Sequence, residues 1–283
     1  MKKSVIYIAA LALTTLAACN NTEKEAQARL DNAKAMFERN EFFAAKSEID
    51  SIRALYPKEY KVLKAGLSLM RQVEQKEAER NLAFCDSMIP VKEQELAELQ
   101  KNFSFEKDTA YNELGTYVPK QQTIERNIQR SYIRSGVNEK GEMYIASVYF
   151  GKNPLNHTGI KLTTTDGMYA ETPAIPYDGG LNYRFKDLGN TTEVVTYKGE
   201  NCEDVAKFIY ANESTRIKME YTGGKPYIIY INDSDKKAIA STLDLAVILS
   251  DIEKMKKEKD KATKKLDYLK KKLDESIQVT GDR

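Results

Sequence analysis

The stretch "MYIASVYF", residues 143–150, decides how the rest of the chain is read. Met143, Ile145, Ser147 and Tyr149 fall on one parity; Tyr144, Ala146, Val148 and Phe150 fall on the other. A period of two in a run rich in aromatic and β-branched residues marks a strand with two distinct faces. Ile217, Met219 and Tyr221 repeat the pattern against Arg216, Lys218 and Glu220. Turn signals separate such runs: Glu139-Lys140-Gly141, Asp166-Gly167, Asp178-Gly179-Gly180 and Gly223-Gly224. Glycine after a polar residue is the usual chemistry of tight turns between antiparallel strands. Residues 115–233 therefore read as a mostly antiparallel, sandwich-like β domain. One short helix is expected inside it, Cys202 to Ala211, with Asn201 as N-cap, Glu203 and Asp204 in the first turn, and Val205, Phe208 and Ile209 on one face.

On both sides of this domain the period changes to that of a helix. Residues 20–57 read as a helical hairpin. Ala26, Leu30, Ala33 and Phe37 make one stripe, Asn40-Glu41 the turn, and Ala44, Ala45, Ile49, Ile52 and Leu55 the second stripe, which Pro57 ends. Ala33, Ala45 and Pro57 lie twelve apart, a spacing that resembles one tetratricopeptide repeat; with no second copy, it implies a capping hairpin rather than a peptide-binding array. Residues 58–114 read as a first stalk helix. Its stripe begins with Leu63, Leu67 and Met70 and resumes, shifted, through Leu82, Cys85, Ile89, Leu96, Leu99 and Phe103. Pro90 is expected to kink or interrupt it. In residues 234–283, Leu245, Ile248, Ile252, Met255, Lys259, Ala262, Leu266, Leu269 and Leu273 alternate steps of three and four, the seam of a coiled coil. Asn232 to Asp235 supplies its cap. The fold class is α+β: a long antiparallel helical stalk with the β domain inserted.

The N-terminus speaks to location. Lys2 and Lys3 precede an apolar run from Val5 to Leu13 that falls short of the roughly 20 residues a membrane-spanning helix needs. Leu16-Ala17-Ala18-Cys19 then resembles a bacterial lipobox. That resemblance implies a signal peptide over residues 1–19 and a lipid anchor on Cys19; an ordinary signal peptide with a chance cysteine is the plainer alternative. Asn20 is not an aspartate, which favours the outer membrane. The passages "RSYIRSGVNEKGEMYIASVYFG" (130–151), "PLNHTG" (154–159), "IPYDGGLNYRF" (175–185) and "TYKGEN" (196–201) resemble a group of bacterial envelope lipoproteins with a helical stalk and an inserted β domain. The resemblance implies location and architecture, and no catalytic residue.

Composition narrows the chemistry. Removing Lys2 and Lys3 from the 44 basic residues leaves 42, matching the 42 acidic ones, so a neutral mature chain gives no electrostatic support for nucleic acid. His157 is the only histidine, which rules out a His-rich metal site. No H-E-x-x-H, G-x-S-x-G or P-loop pattern occurs. No cofactor is expected. Cys85 falls on the stalk and Cys202 in the β domain, so two free thiols are expected rather than a disulfide.

The richest cluster is Ile175 to Phe185, where Tyr177, Asp178, Asn182 and Arg184 put a ring, a carboxylate, an amide and a guanidinium around one turn. Such a mixture suits recognition of a sugar or a peptide; the plainer reading is a glycine turn with tyrosines packed across strands. Alternation sets Leu181, Tyr183 and Phe185 on one face and Asn182 and Arg184 on the other, with Tyr183 expected in the core. His157, in a polar loop, is a candidate ligand contact or general base. Residues 254–272 hold ten lysines against Glu258, Asp260 and Asp267. They suit anionic head groups or a solvated face neutralised by Glu74, Glu77 and Glu79. The functional expectation is a lipid-anchored envelope protein that presents a β domain for binding or assembly, without catalysis, with an envelope protein or a glycan as partner. A carbohydrate-binding lipoprotein comes second. A glycoside hydrolase with a carboxylate pair drawn from Asp166, Glu171 and Asp178 comes third.

Overall fold

A computed structural model of the chain describes residues 22–107 and 114–281, with backbone only for 273–281. Cys19 and the expected signal segment, residues 1–19, lie outside the described residues, and so does the side chain of Leu273. The chain divides into two compact units. One comprises residues up to Ser87 together with Lys257 onward; the other runs from Met88 to Lys256. Among the described residues no helix is long and apolar enough to cross a membrane.

In the first unit, α1 (22–38) and α2 (Phe42–Leu55) form the expected hairpin. Asn40 sits at φ 60°, and the Glu41 N–H returns to the Met36 carbonyl, so an asparagine in the left-handed region closes α1. Ala26, Ala33 and Ala45 are fully buried, which lets the two helices approach closely. A lone hairpin cannot cover its own apolar face. Here Val62, Leu69 and Val73 of α3 (Tyr60–Gln100) join Leu30, Phe42, Ile49 and Ile52 in one cluster. The stripe on α3 is therefore offset from the expected one: Leu67 is exposed, as is Leu55 on α2. Phe42, outside the expected stripe, is buried, with the Arg80 guanidinium 4.7 Å from its ring centroid.

The end of α5 (Asp233–Gly281) runs antiparallel to α3 within this unit. Lys259 meets Asp86 at 2.6 Å, Asn81 donates to Glu258, and Lys265 meets Glu74 at 2.9 Å. The expected seam is buried at Ala262 and Leu269, while Lys259 turns outward to its carboxylate. Of the acids expected to neutralise the lysine-rich face, Glu74 does so; Glu77 is taken by Lys46 and Glu79 by Lys76. Cys85 is a buried free thiol, pushed up by burial and then by the Glu258 and Asp86 charges beside it.

α3 is continuous through Pro90, so of the expected kink or interruption the interruption does not occur. Pro90 and Asp86 both stand on the exposed side. The carbonyl that loses its intrahelical partner is thus open to water, which lowers the cost of the missing bond. The helix also ends earlier than expected, at Gln100.

The second unit holds two antiparallel sheets. Sheet A has the order β1-β2-β3-β4-β8-β7, from β1 (Phe103–Glu106), β2 (Thr116–Pro119), β3 (Tyr132–Asn138), β4 (Met143–Gly151), β7 (Asn182–Asp187) and β8 (Asn190–Lys198). Sheet B has the order β10-β9-β5-β6, from β5 (Gly159–Thr164), β6 (Tyr169–Glu171), β9 (Ile217–Thr222) and β10 (Tyr227–Tyr230). The first strand thus lies at 103–106, inside the stretch expected to be helical. The parity of 143–150 holds. Met143, Ile145 and Tyr149 enter the core shared by both sheets, and Ala146 and Val148 enter a smaller cluster on the opposite face. Ile217, Met219 and Tyr221 are buried as expected.

Helix α4 (Glu200–Ala211) closes the core with Val205, Ala206 and Ile209. It starts two residues early, with Gly199 at the N-cap position and no side-chain cap, so Asn201 is inside the helix. Cys202 is buried and free, its thiol pushed up to about 11 by burial. The start of α5 is capped as expected, by Asn232 Oδ1 accepting the Asp235 N–H at 2.7 Å. Gly141, in the β3–β4 turn at φ 82°, lies against this helix; a Cβ there would stand 2.6 Å from the Ala246 carbonyl oxygen. One hairpin turn escaped the sequence reading. Leu188-Gly189 joins β7 to β8 with both residues at positive φ, and leucine is a poor signal for that conformation.

Leu269→Asp would place an unpaired charge on a buried position of α5, at a cost of about 3 kcal/mol or more. Thermal melting of the full chain is expected to show an earlier transition. An unchanged profile would mean that this seam is not dry.

Candidate functional site

The site grows from the loop between β4 and β5, which carries Asn156 and His157. His157 is buried at 1% exposure rather than standing in a polar loop. Its Nδ1 lies 2.8 Å from Glu193 Oε2, and its Nε2 lies 2.9 Å from Ser147 Oγ. An ionised carboxylate only accepts, so the proton sits on Nδ1. The backbone N–H groups of Asn156 and His157 also donate to Glu193, at 2.8 and 3.2 Å. Burial pushes the Glu193 carboxyl up, but the bonds from the His157 ring and the two N–H groups outweigh it and hold the group below the usual glutamate range.

Ser147, His157 and Glu193 have the order of a nucleophile, a base and an orienting carboxylate. Their surroundings oppose that use. Ser147 is fully buried, Glu193 is 2% exposed, and the Ser147 hydroxyl also lies 3.4 Å from the Tyr197 hydroxyl. The edge of Tyr221 packs on the His157 ring, centroids 4.9 Å apart. A reacting carbon needs to come about 3 Å from the serine oxygen, and the packed core leaves it no room. The expectation of His157 as an accessible general base is therefore corrected. The signal for this trio was present in the sequence: Ser147 shares parity with Ile145 and Tyr149, and Glu193 with Val195 and Tyr197, so each is a polar residue at a core position.

The structure brings all five expected residues to this one region, in different roles. Asn182 is buried and structural: its amide donates to the His157 carbonyl at 3.2 Å and to the Ile175 carbonyl at 2.7 Å. Its expected surface position is thus corrected. Asp178 is exposed but engaged, with Oδ1 accepting the N–H groups of Asn182 and Gly180, both at 2.8 Å. These bonds hold its carboxyl below the usual aspartate range. Tyr177 and Arg184 are exposed as expected. The Arg184 guanidinium lies 4.8 Å from the Tyr177 ring centroid and its Nη1 donates to Asn156 Oδ1. Asn156, at φ 60°, was missed by sequence reasoning, since only the backbone turn aims its amide at the arginine.

Strand parity held at 181–185 with its sides reversed. Asn182 faces the core, while Tyr183 packs on the outer cluster and Phe185 is half exposed. The carboxylate-pair reading weakens too. Asp166 accepts from the Thr164 hydroxyl within its own turn and is held low by it. A general acid needs the opposite shift. Among the described residues, no group of three His, Cys, Asp or Glu side chains is placed to hold a metal ion.

No family model, no curated protein and no solved structure matches this chain.

Glu193→Gln would remove the charge that three N–H donors share, at a cost of about 2 kcal/mol at neutral pH. Because the folded value is depressed, this stability is present above the unfolded glutamate value and is lost as pH falls through the folded value. The gap between wild type and variant in denaturant titrations is therefore expected to close in acid. A gap that persists below the folded value would remove Glu193's charge from the account.

Proposed function

We propose that this chain is a lipid-anchored bacterial envelope protein whose β unit serves as a binding module rather than a catalyst. One observation carries the binding half of this reading: Arg184 and Tyr177 are exposed and held in place from below, whereas the one hydrolase-like trio is sealed in the core. Arg184 offers a planar fork suited to a carboxylate, and its contacts with Asn156 and Tyr177 restrict its rotamers before any partner arrives. The anchoring half rests on Leu16-Ala17-Ala18-Cys19 and on the resemblance described above.

A protein partner suits this surface better than a sugar. Sugar recognition needs a free ring face, and Arg184 covers one face of Tyr177. A partner carboxylate needs only the outer edge of the guanidinium. Carbohydrate binding at this turn is therefore the second reading, and hydrolysis by a carboxylate pair the third.

Two measurements test the proposal. Cys19→Ser is expected to move the protein from the membrane to the soluble fraction; if it partitions like wild type, the anchor is wrong. Arg184→Ala is expected to abolish capture of an envelope protein by the tagged full chain, with a change in stability within about 1 kcal/mol. Equal capture by variant and wild type would exclude this surface.

A further inference from the structure

The opposite face of sheet A carries a second constellation, on residues that the Arg184 surface does not use. We infer that the cleft over Gly136 and Tyr144 is a binding site for a short acidic saccharide whose carboxylate is held by Arg134. The inference does not depend on the proposed function, because the two sites share no residue.

The cleft measures about 890 Å³, within the size range of small-molecule sites. Tyr144 on β4 lines it, and Gly136 on β3 is its cross-strand partner. A Cβ on residue 136 would stand 2.5 Å from the Tyr144 ring, so the ring lies directly on the glycine. The ring is thereby seated over the glycine, and Tyr144 also lines the cleft. A partly buried aromatic ring fixed in this way offers a stacking surface for a pyranose ring.

The charges on either side of Tyr144 differ in sign. Two residues along the strands in one direction stands Arg134, opposite Ala146, with Thr196 on the next strand. Arg134 Nε is shut from solvent and has no hydrogen-bond partner. Lys198 pairs with Tyr144 across the sheet and is exposed, without an ion pair among the described residues. In the other direction stand Thr116, Asn138 and Glu142, with the Asn138 amide donating to Glu142 at 2.7 Å. From the arginine row to the glutamate row is four residues, roughly 13 Å along the strands, the length of a disaccharide. The basic end suits a carboxylate, the middle a sugar ring, and the acidic and amide end suits hydroxyl donors. Glu142, together with the Glu106 charge that reaches the Tyr144 phenol, opposes a polyanion such as nucleic acid.

The test is calorimetric titration of the full chain with digalacturonate, and with maltose as the uncharged control. Digalacturonate is expected to bind and maltose to bind far more weakly. Arg134→Gln is expected to weaken digalacturonate about ten- to a hundredfold, Lys198→Gln by a smaller factor, and Arg184→Ala not at all. Absence of binding by wild type, equal binding of maltose, or an unchanged affinity in folded Arg134→Gln would each overturn the inference. If Arg134→Gln fails to fold, the exposed Lys198→Gln decides, and an unchanged affinity there overturns it. Loss of binding in Arg184→Ala would place the ligand on the other surface and overturn it as well.

Discussion

A buried carboxylate is costly unless it is fully compensated, and Glu193 meets that demand with three donors from two adjacent residues. The two backbone N–H groups and the imidazole of 156–157 all converge on it. The loop between β4 and β5 thereby acquires one geometry, although neither strand alone would specify it. Everything above the loop inherits that geometry. The His157 carbonyl accepts from the Asn182 amide, that amide also donates to the Ile175 carbonyl, and Asp178 secures the turn that delivers Asn182. Arg184 then finds Asn156 on the surface. The exposed pair is thus positioned by a chain of bonds that begins in the core, and the polar trio is explained without a reaction.

The α+β class and the order of elements were readable because periodicity reports which face is buried. This worked best where burial is one-sided, as at 143–150 and 217–221. It failed where burial is set by a distant partner. Leu67 and Leu55 have the right spacing but face water, because α3 crosses the hairpin along a line that also includes Val62 and Val73. At Pro90 the helix is not interrupted, because the missing bond falls on a wet side. It failed at 103–106 because a four-residue strand carries too little pattern to separate from the helix before it.

The candidate site was readable as a neighbourhood more than as a set of roles. Composition singled out Tyr177, Asp178, Asn182, Arg184 and His157, and folding gathers them. Their roles depend on which side of sheet A is covered. Parity in β7 is visible in the sequence, but the covered side is decided by sheet B, whose strands lie elsewhere in the chain. Asn182 and His157 therefore exchanged the surface for the core. Asn156 was invisible, since its part depends on a positive φ rather than on its residue type. Ser147 and Glu193 were visible in principle, as polar residues at core parity.

Cys85 and Cys202 are both buried free thiols. Cys85 belongs to one compact unit and Cys202 to the other, and burial holds both thiols in the protonated, unreactive form. Each is therefore a native reporter of its own surroundings. With Cys19 replaced, the alkylation rate at each thiol would count how often its unit opens. Two local opening free energies would come from one chain, with no label or introduced cysteine.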